Sequence, residues 1–166
     1  YAHTSNYKVI GFTEEVSLID LAKLSKTKKI PLVVDLGSGA LVDFSKMGLP
    51  FENLVKWYIK AGSDIVTFSG DKLIGGPQCG IICGSKKLLN KIHKNPLYRA
   101  LRCDKFTISL LEHSLRTFIS DTEVTSKNMT ISLLNRDRKE LKALGNKILG
   151  QINQKLIKKN NIELIE

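Results

Sequence analysis

The chain has 166 residues, 42% of them hydrophobic and 25% charged, a balance that suits one domain with a real core or a piece of a larger one and leaves no low-complexity tract. Twenty-six basic residues against sixteen acidic ones give a net charge of +10, which fits a polyanionic partner or simply a soluble surface. There is no apolar run of about eighteen residues and no succession resembling a signal peptide, so a soluble, cytosolic product is expected.

The chain opens with Tyr1 inside "YAHTSNYKVIGF", a stretch that reads as already ordered, and the expectation is a fragment of a longer protein. From Val16 to Lys28, the residues Val16, Leu18, Ile19, Leu21, Ala22 and Leu24 fall mostly on one face of a predicted helix. Pro31 breaks that pattern, and "PLVVDLG" reads as a short buried strand ending in a turn. A second helix is predicted over Glu52 to Ala61, where Leu54, Val55, Tyr58 and Ile59 repeat with helical spacing, and it stops at Gly62. "SDIVTFSG" is the next strand; strands separated by helices of this length imply βαβ units and a parallel sheet.

Only eight residues separate Gly70 from Cys79, too few for a helical crossover, so "CGIICG" is predicted to return antiparallel. Ser85 can cap a helix running to about Lys94, and Phe106, Ile108, Leu110, Leu111, Leu115, Phe118 and Ile119 mark a third amphipathic helix. Over residues 121–130, "DTEVTSKNMT" has the composition of a polar linker. Beyond it Leu141, Leu144, Ile148, Leu149, Ile152, Leu156 and Ile157 make one long helical stripe, in which Gly145 and Gly150 each cost about 1 kcal/mol relative to Ala. The stripe reads as the opening helix of a second, incomplete domain.

Cys79, Cys83 and Cys103 are odd in number, and the first two are spaced neither as a redox pair nor as half a zinc site, so they read as small buried hydrophobes. His3, His93 and His113 show no metal-ligating spacing, and no metal is expected. From Gly84 to Lys105, seven basic residues face Asp104 alone. A solvated surface explains them as well as nucleic acid does, because no aromatic stacking surface accompanies them.

Ligands of open parallel sheets bind beyond the carboxyl ends of the strands, and two ionisable residues are predicted there: Asp35, closing "PLVVD", and Lys72, just after "DIVTFSG". Asp35 could merely tie a turn and Lys72 point into water. The small residues of "DLGSGA" and "SGDKLIGG" nevertheless permit a flat, phosphorylated ligand to approach the backbone, although neither stretch matches a phosphate-loop spacing. An amine and a carboxylate so placed match pyridoxal phosphate, which needs a lysine for its Schiff base and an acid to keep its pyridine nitrogen protonated.

On "HTSNYKVIGFTEEVSL", "DLGSGALVD", "GLP", "AGSDIVTFSGDKLIGGPQCGIICG" and "NPLYRALRCDKFT", the chain closely resembles the bacterial selenocysteine synthases, the L-seryl-tRNA(Sec) selenium transferases of pyridoxal phosphate fold type I. The resemblance spans about residues 2 to 120. It implies an α/β fold: residues 1–122 as the C-terminal half of a cofactor-binding large domain, its mostly parallel sheet carrying one antiparallel strand and helices on both faces, and residues 123–166 as the beginning of a small C-terminal domain. It further implies Lys72 as the Schiff-base lysine with Asp71 assisting, Asp35 as partner of the pyridinium, Ser69 at the cofactor phosphate and Asn6 at the ring hydroxyl. Arg99 and Arg102, three apart and expected on one face of a helical turn, would bind selenophosphate.

The activity implied is conversion of seryl-tRNA(Sec) to selenocysteinyl-tRNA(Sec), through an aminoacrylyl-tRNA intermediate, by a homo-oligomeric ring of dimers in the cytoplasm, with no part played by DNA or membrane. Without a tRNA-recognising domain and the first half of the large domain, the fragment is expected to be inactive alone and to expose apolar faces. Alternatives that share the site are a pyridoxal phosphate-dependent β-eliminating or transsulfuration-type lyase acting on a free amino acid, a non-catalytic tRNA-binding remnant, and a purely structural fragment.

Overall fold

The computed structural model describes residues 1–3, 10–120 and 123–165. Helix α1 spans Leu18–Lys28 rather than starting at Val16, because the Ser17 hydroxyl accepts from the Asp20 amide and so fixes the first turn. Its inner face buries Leu18 and Ala22. Strand β1, Val33–Asp35, follows, then a 3₁₀ turn at Phe44–Met47. Helix α2 is Val55–Ala61, three residues shorter at its start than the spacing predicts. Leu54 is extended, and the Val55 amide donates to the Ala40 carbonyl at 2.9 Å, so the segment before it is held to the loop after β1 instead of coiling. Gly62 ends the helix as expected, in the left-handed region with φ 112°.

Strands β2 (Ile65–Ser69) and β3 (Gly80–Gly84) complete a three-stranded sheet of order β1-β2-β3. The β1–β2 pair is parallel with Asp35 opposite Thr67, and β3 runs antiparallel with Ser69 opposite Gly80, as the short connection requires. Ala2 adds a parallel bridge to Asp35 on the outer side of β1. Strand alternation then sorts the side chains. Val34, Val66 and Phe68 point to one face and are buried against Leu18 of α1 and Val55 and Tyr58 of α2, with Leu111 and Phe118 packed alongside. Val33, Asp35, Thr67 and Ile82 point to the other face, where Val33 is 47% and Ile82 40% exposed.

Helices α3 (Lys86–Lys94) and α4 (Pro96–Ala100) lie beside β3. Ser85 precedes α3 as expected but makes no capping hydrogen bond, whereas Asn95 caps α4 by accepting from the Leu97 amide. Helix α5, Lys105–Arg116, starts on the Asp104 carboxylate, which accepts from the amides of Phe106 and Thr107. The hydrogen bonds from Thr107 hold that carboxyl below the usual carboxylate range. The apolar pattern of α5 is only partly used. Leu111 and Phe118, just past its end, touch the core, while Phe106, Ile108, Leu110 and Ile119 remain more than half exposed.

The described part of the segment read as a polar linker, from residue 123 on, is instead packed; residues 121 and 122 lie outside the described residues. Short helices α6 (Val124–Lys127) and α7 (Met129–Leu134) insert Val124 and Ile131, both fully buried, into a second cluster with Ala40, Val42 and Phe44. Val124 stands alone among polar residues and the apolar residues of α7 are too few and too close to set a clear period, so the sequence does not announce this packing. The long C-terminal stripe also departs from expectation, dividing into α8 (Arg138–Gln151) and α9 (Gln154–Asn160). Ile152 is extended, and the Asn153 side chain accepts from the Lys155 amide, so a local cap outcompetes continuous helix two residues after Gly150. No helix among the described residues is long and apolar enough to cross a membrane.

Candidate functional site

The parallel register brings the carboxyl ends of β1 and β2 side by side. Asp35 is the last residue of β1, exposed on the open face, and its Oδ1 accepts from the Thr67 hydroxyl at 2.8 Å. No described residue donates to Oδ2. Thr67 thus fixes the carboxylate while leaving one oxygen for another group. Sequence reasoning missed Thr67; the available signal was its alternation onto the same face as Asp35 within "IVTFS". Ser69 ends β2 half-buried on that face, and its amide donates to the Gly37 carbonyl at 2.9 Å, which ties the two loops together.

Lys72 and Asp71 follow in the turn from β2 to β3, both exposed. That turn is closed by its own backbone: the Gly70 amide donates to the Cys79 carbonyl at 2.9 Å, Gly76 to Gly70 at 2.8 Å and Gly75 to Lys72 at 2.9 Å. The glycines have tightly packed surroundings here. A methyl on Gly70 would lie 2.5 Å from the Cys79 sulfur and 3.0 Å from the Pro77 carbonyl oxygen, and one on Gly75 would lie 2.5 Å from the Thr130 hydroxyl. Gly39 likewise faces the Phe68 ring. Close approach of a ligand is therefore not needed to explain these positions, because contacts within the protein already demand them.

The turn is anchored from a distance. Asn128, only 4% exposed, donates from Nδ2 to the Ile74 carbonyl at 2.8 Å and to the Thr117 hydroxyl at 3.1 Å, while its Oδ1 accepts from the Ile131 amide at 3.1 Å. One side chain joins α7, the end of α5 and the loop bearing Lys72. Burial pushes the Cys79 thiol up, and nearby Cys103 and Asp71 add to it; burial does the same to Cys83. All three cysteines are half-buried free thiols, less enclosed than their reading as core hydrophobes implies.

Arg99 lies in the last turn of α4, and Arg102 falls beyond its end at Leu101, so the expected single helical face is not how they meet. They nonetheless share a cleft of about 290 Å³, lined also by His93, Lys94, Asn95, Pro96 and Tyr98. Every charged residue on its wall is basic. The residues His93, Lys94 and Tyr98 were not singled out from the sequence as part of this site: Lys94 read as part of a solvated basic run, His93 showed no metal-ligating spacing, and Tyr98 carried no signal of its own. Asn6 lies outside the described residues.

A small mixed sheet flanked by helices, with a lysine and a carboxylate at the ends of neighbouring parallel strands, defines an α/β domain of the kind expected. Its fold is similar to that in the structure of D-glucosaminate-6-phosphate ammonia-lyase, with a TM-score of 0.54 and 21% identity over 71% of this chain and 28% of that one. The family described as "SelA: L-seryl-tRNA selenium transferase" matches residues 1–166, and the chain belongs to it. It is 47% identical over 146 residues to the L-seryl-tRNA(Sec) selenium transferase of Clostridium perfringens, covering 88% of this chain and 32% of that protein. It is 48% identical over 150 residues to that of Carboxydothermus hydrogenoformans, covering 90% and 32%. The chain therefore spans about a third of the length of these relatives.

Proposed function

We propose that this chain forms the lysine-bearing part of a pyridoxal phosphate-dependent enzyme that makes selenocysteinyl-tRNA(Sec) from seryl-tRNA(Sec) and selenophosphate. The observation that carries the reading is the adjacency of Asp35 and the Lys72 turn at the carboxyl ends of β1 and β2, in a chain of this family. The donor set fits the cofactor: an exposed amine, a carboxylate with an oxygen to spare and a strand-end hydroxyl, beside an open sheet face. When bound, pyridoxal phosphate supplies an electron-withdrawing ring that acidifies the substrate α-proton.

The chain's own residues then have separable tasks. Lys72 would hold the cofactor through its amine, and Asp71 would assist beside it. Asp35, steadied by Thr67, would keep the pyridine nitrogen protonated, while Ser69 would hold the phosphate and Asn6 the ring hydroxyl. Arg99 and Arg102 hold the donor oxyanion by charge-assisted hydrogen bonds, which orients the selenium and steadies charge during the final carbon bond. The remaining two thirds of a family-length protein complete the site and the tRNA contacts in a cytoplasmic ring of dimers; this chain alone is inactive, with residues 1–122 belonging to the large domain and residues 123–166 opening the small one, their first helices α6 and α7 packed against the large domain.

The test is a hybrid in which these 166 residues replace the matching part of the C. perfringens transferase. It is expected to convert seryl-tRNA(Sec) with selenophosphate, and the variant carrying Arg99→Ala with Arg102→Ala to lose that conversion. A hybrid that eliminates from free amino acids with the arginines dispensable would establish a lyase instead.

A further inference from the structure

The cleft holding Arg99 and Arg102 contains more than the two arginines. His93 and Lys94 end α3, Tyr98 sits on α4, and the His93 and Tyr98 rings lie 4.9 Å apart at a tilt of 44°, which fixes where the imidazole can point. The charged groups facing the cleft are Lys94 from α3, Arg99 from α4 and Arg102 from the segment beyond; the groove that His93 also lines, with Gly80, Ile82 and Leu89, adds none. An anion here would thus meet the basic side chains of Lys94, Arg99 and Arg102 and the ring nitrogens of His93.

We propose that His93 is a further contact to the tetrahedral anion in this cleft, donating a ring N–H to one of its oxygens. The inference rests on the reading of Arg99 and Arg102 as the donor site and adds one more side chain to it. A hydrogen bond to a charged group, at its usual strength, tightens binding about tenfold.

Inorganic sulfate is the probe, because it is a tetrahedral oxyanion like the donor. Calorimetric titration of the C. perfringens hybrid with sulfate is compared with the same hybrid carrying His93→Ala, His93→Gln, or Arg99→Ala plus Arg102→Ala, each checked for helical content by circular dichroism. The expected result is binding that needs the arginines and is about tenfold weaker in His93→Ala, with His93→Gln, which keeps an N–H donor, recovering part of the loss. Binding that needs the arginines but is unchanged in His93→Ala overturns the role of His93 and leaves the donor site standing. No sulfate binding, or binding that survives loss of the arginines, overturns both.

Discussion

Replacing Asn128 should unseat the turn that carries Lys72, although the two residues are far apart in sequence. In Asn128→Ala the buried Ile74 carbonyl loses the 2.8 Å bond that is its only described hydrogen bond, and the Ile131 amide loses its cap at 3.1 Å. A stranded buried carbonyl costs about 1–3 kcal/mol and a lost N-cap about 1 kcal/mol, so the variant should be destabilised by about 3 kcal/mol. Thr117 contributes little to that sum, because its hydroxyl still donates to the Ser114 carbonyl. With a urea slope of about 1–3 kcal/mol/M, the unfolding midpoint followed by the fluorescence of the single tryptophan, Trp57, should fall by about 1–3 M. Asn128→Asp gives a second, sharper test. It keeps the acceptor for Ile131 but sets a carboxylate against the Ile74 carbonyl in a site 4% exposed, so its folded-state pKa is raised and its stability falls as pH rises through the carboxyl range. A midpoint within about 0.3 M of the parent for Asn128→Ala, or a pH-independent Asn128→Asp, would refute the assignment of Asn128 as the anchor.

Two further outcomes follow from the same geometry. Gly70→Ala places a methyl 2.5 Å from the Cys79 sulfur and 3.0 Å from a backbone oxygen, so denaturant unfolding should show a loss of about 1–3 kcal/mol; Cys79→Ala in the same chain should recover part of it, and an unaffected Gly70→Ala would contradict the packing described. Burial, reinforced by the nearby Tyr1 hydroxyl, pushes Tyr58 from its ordinary 10.0 up to about 12. The folded chain therefore binds that proton more tightly than the unfolded one, and the stability it contributes is complete below pH 10.0 and lost as pH climbs toward about 12. Phenolate absorbance should show Tyr58 titrating last, after Tyr1, which burial also raises, and Tyr58→Phe should flatten the alkaline stability loss; a tyrosine population titrating together would contradict it.

Short apolar runs and the lengths of the connections made the sheet legible. The runs "PLVVDLG" and "SDIVTFSG" on either side of a helix, the Pro31 break and the eight-residue link to Cys79 were enough to expect two parallel strands followed by an antiparallel one, with Asp35 closing the first and Lys72 just after the second. The packing of residues 124–134 was not legible, since it depends on Val124 and Ile131 finding Ala40 and Val42, contacts no local pattern encodes. The glycines near Lys72 show how one composition admits two causes. Their number suggested room for a ligand, and the contacts of Gly70 and Gly75 with Cys79 and Thr130 supply a cause within the chain itself. At the basic cleft, residue type gave the arginines through a resemblance, but the approach of His93 to Tyr98 needed the bend between α3 and α4 at Asn95.

The central proposal concerns one nitrogen, and trapping it is the most direct test. Incubating the C. perfringens hybrid with pyridoxal phosphate, reducing with borohydride and mapping the peptides should place the label on Lys72, with Asp35→Asn weakening its uptake. A label on any other lysine, or none, would contradict the account.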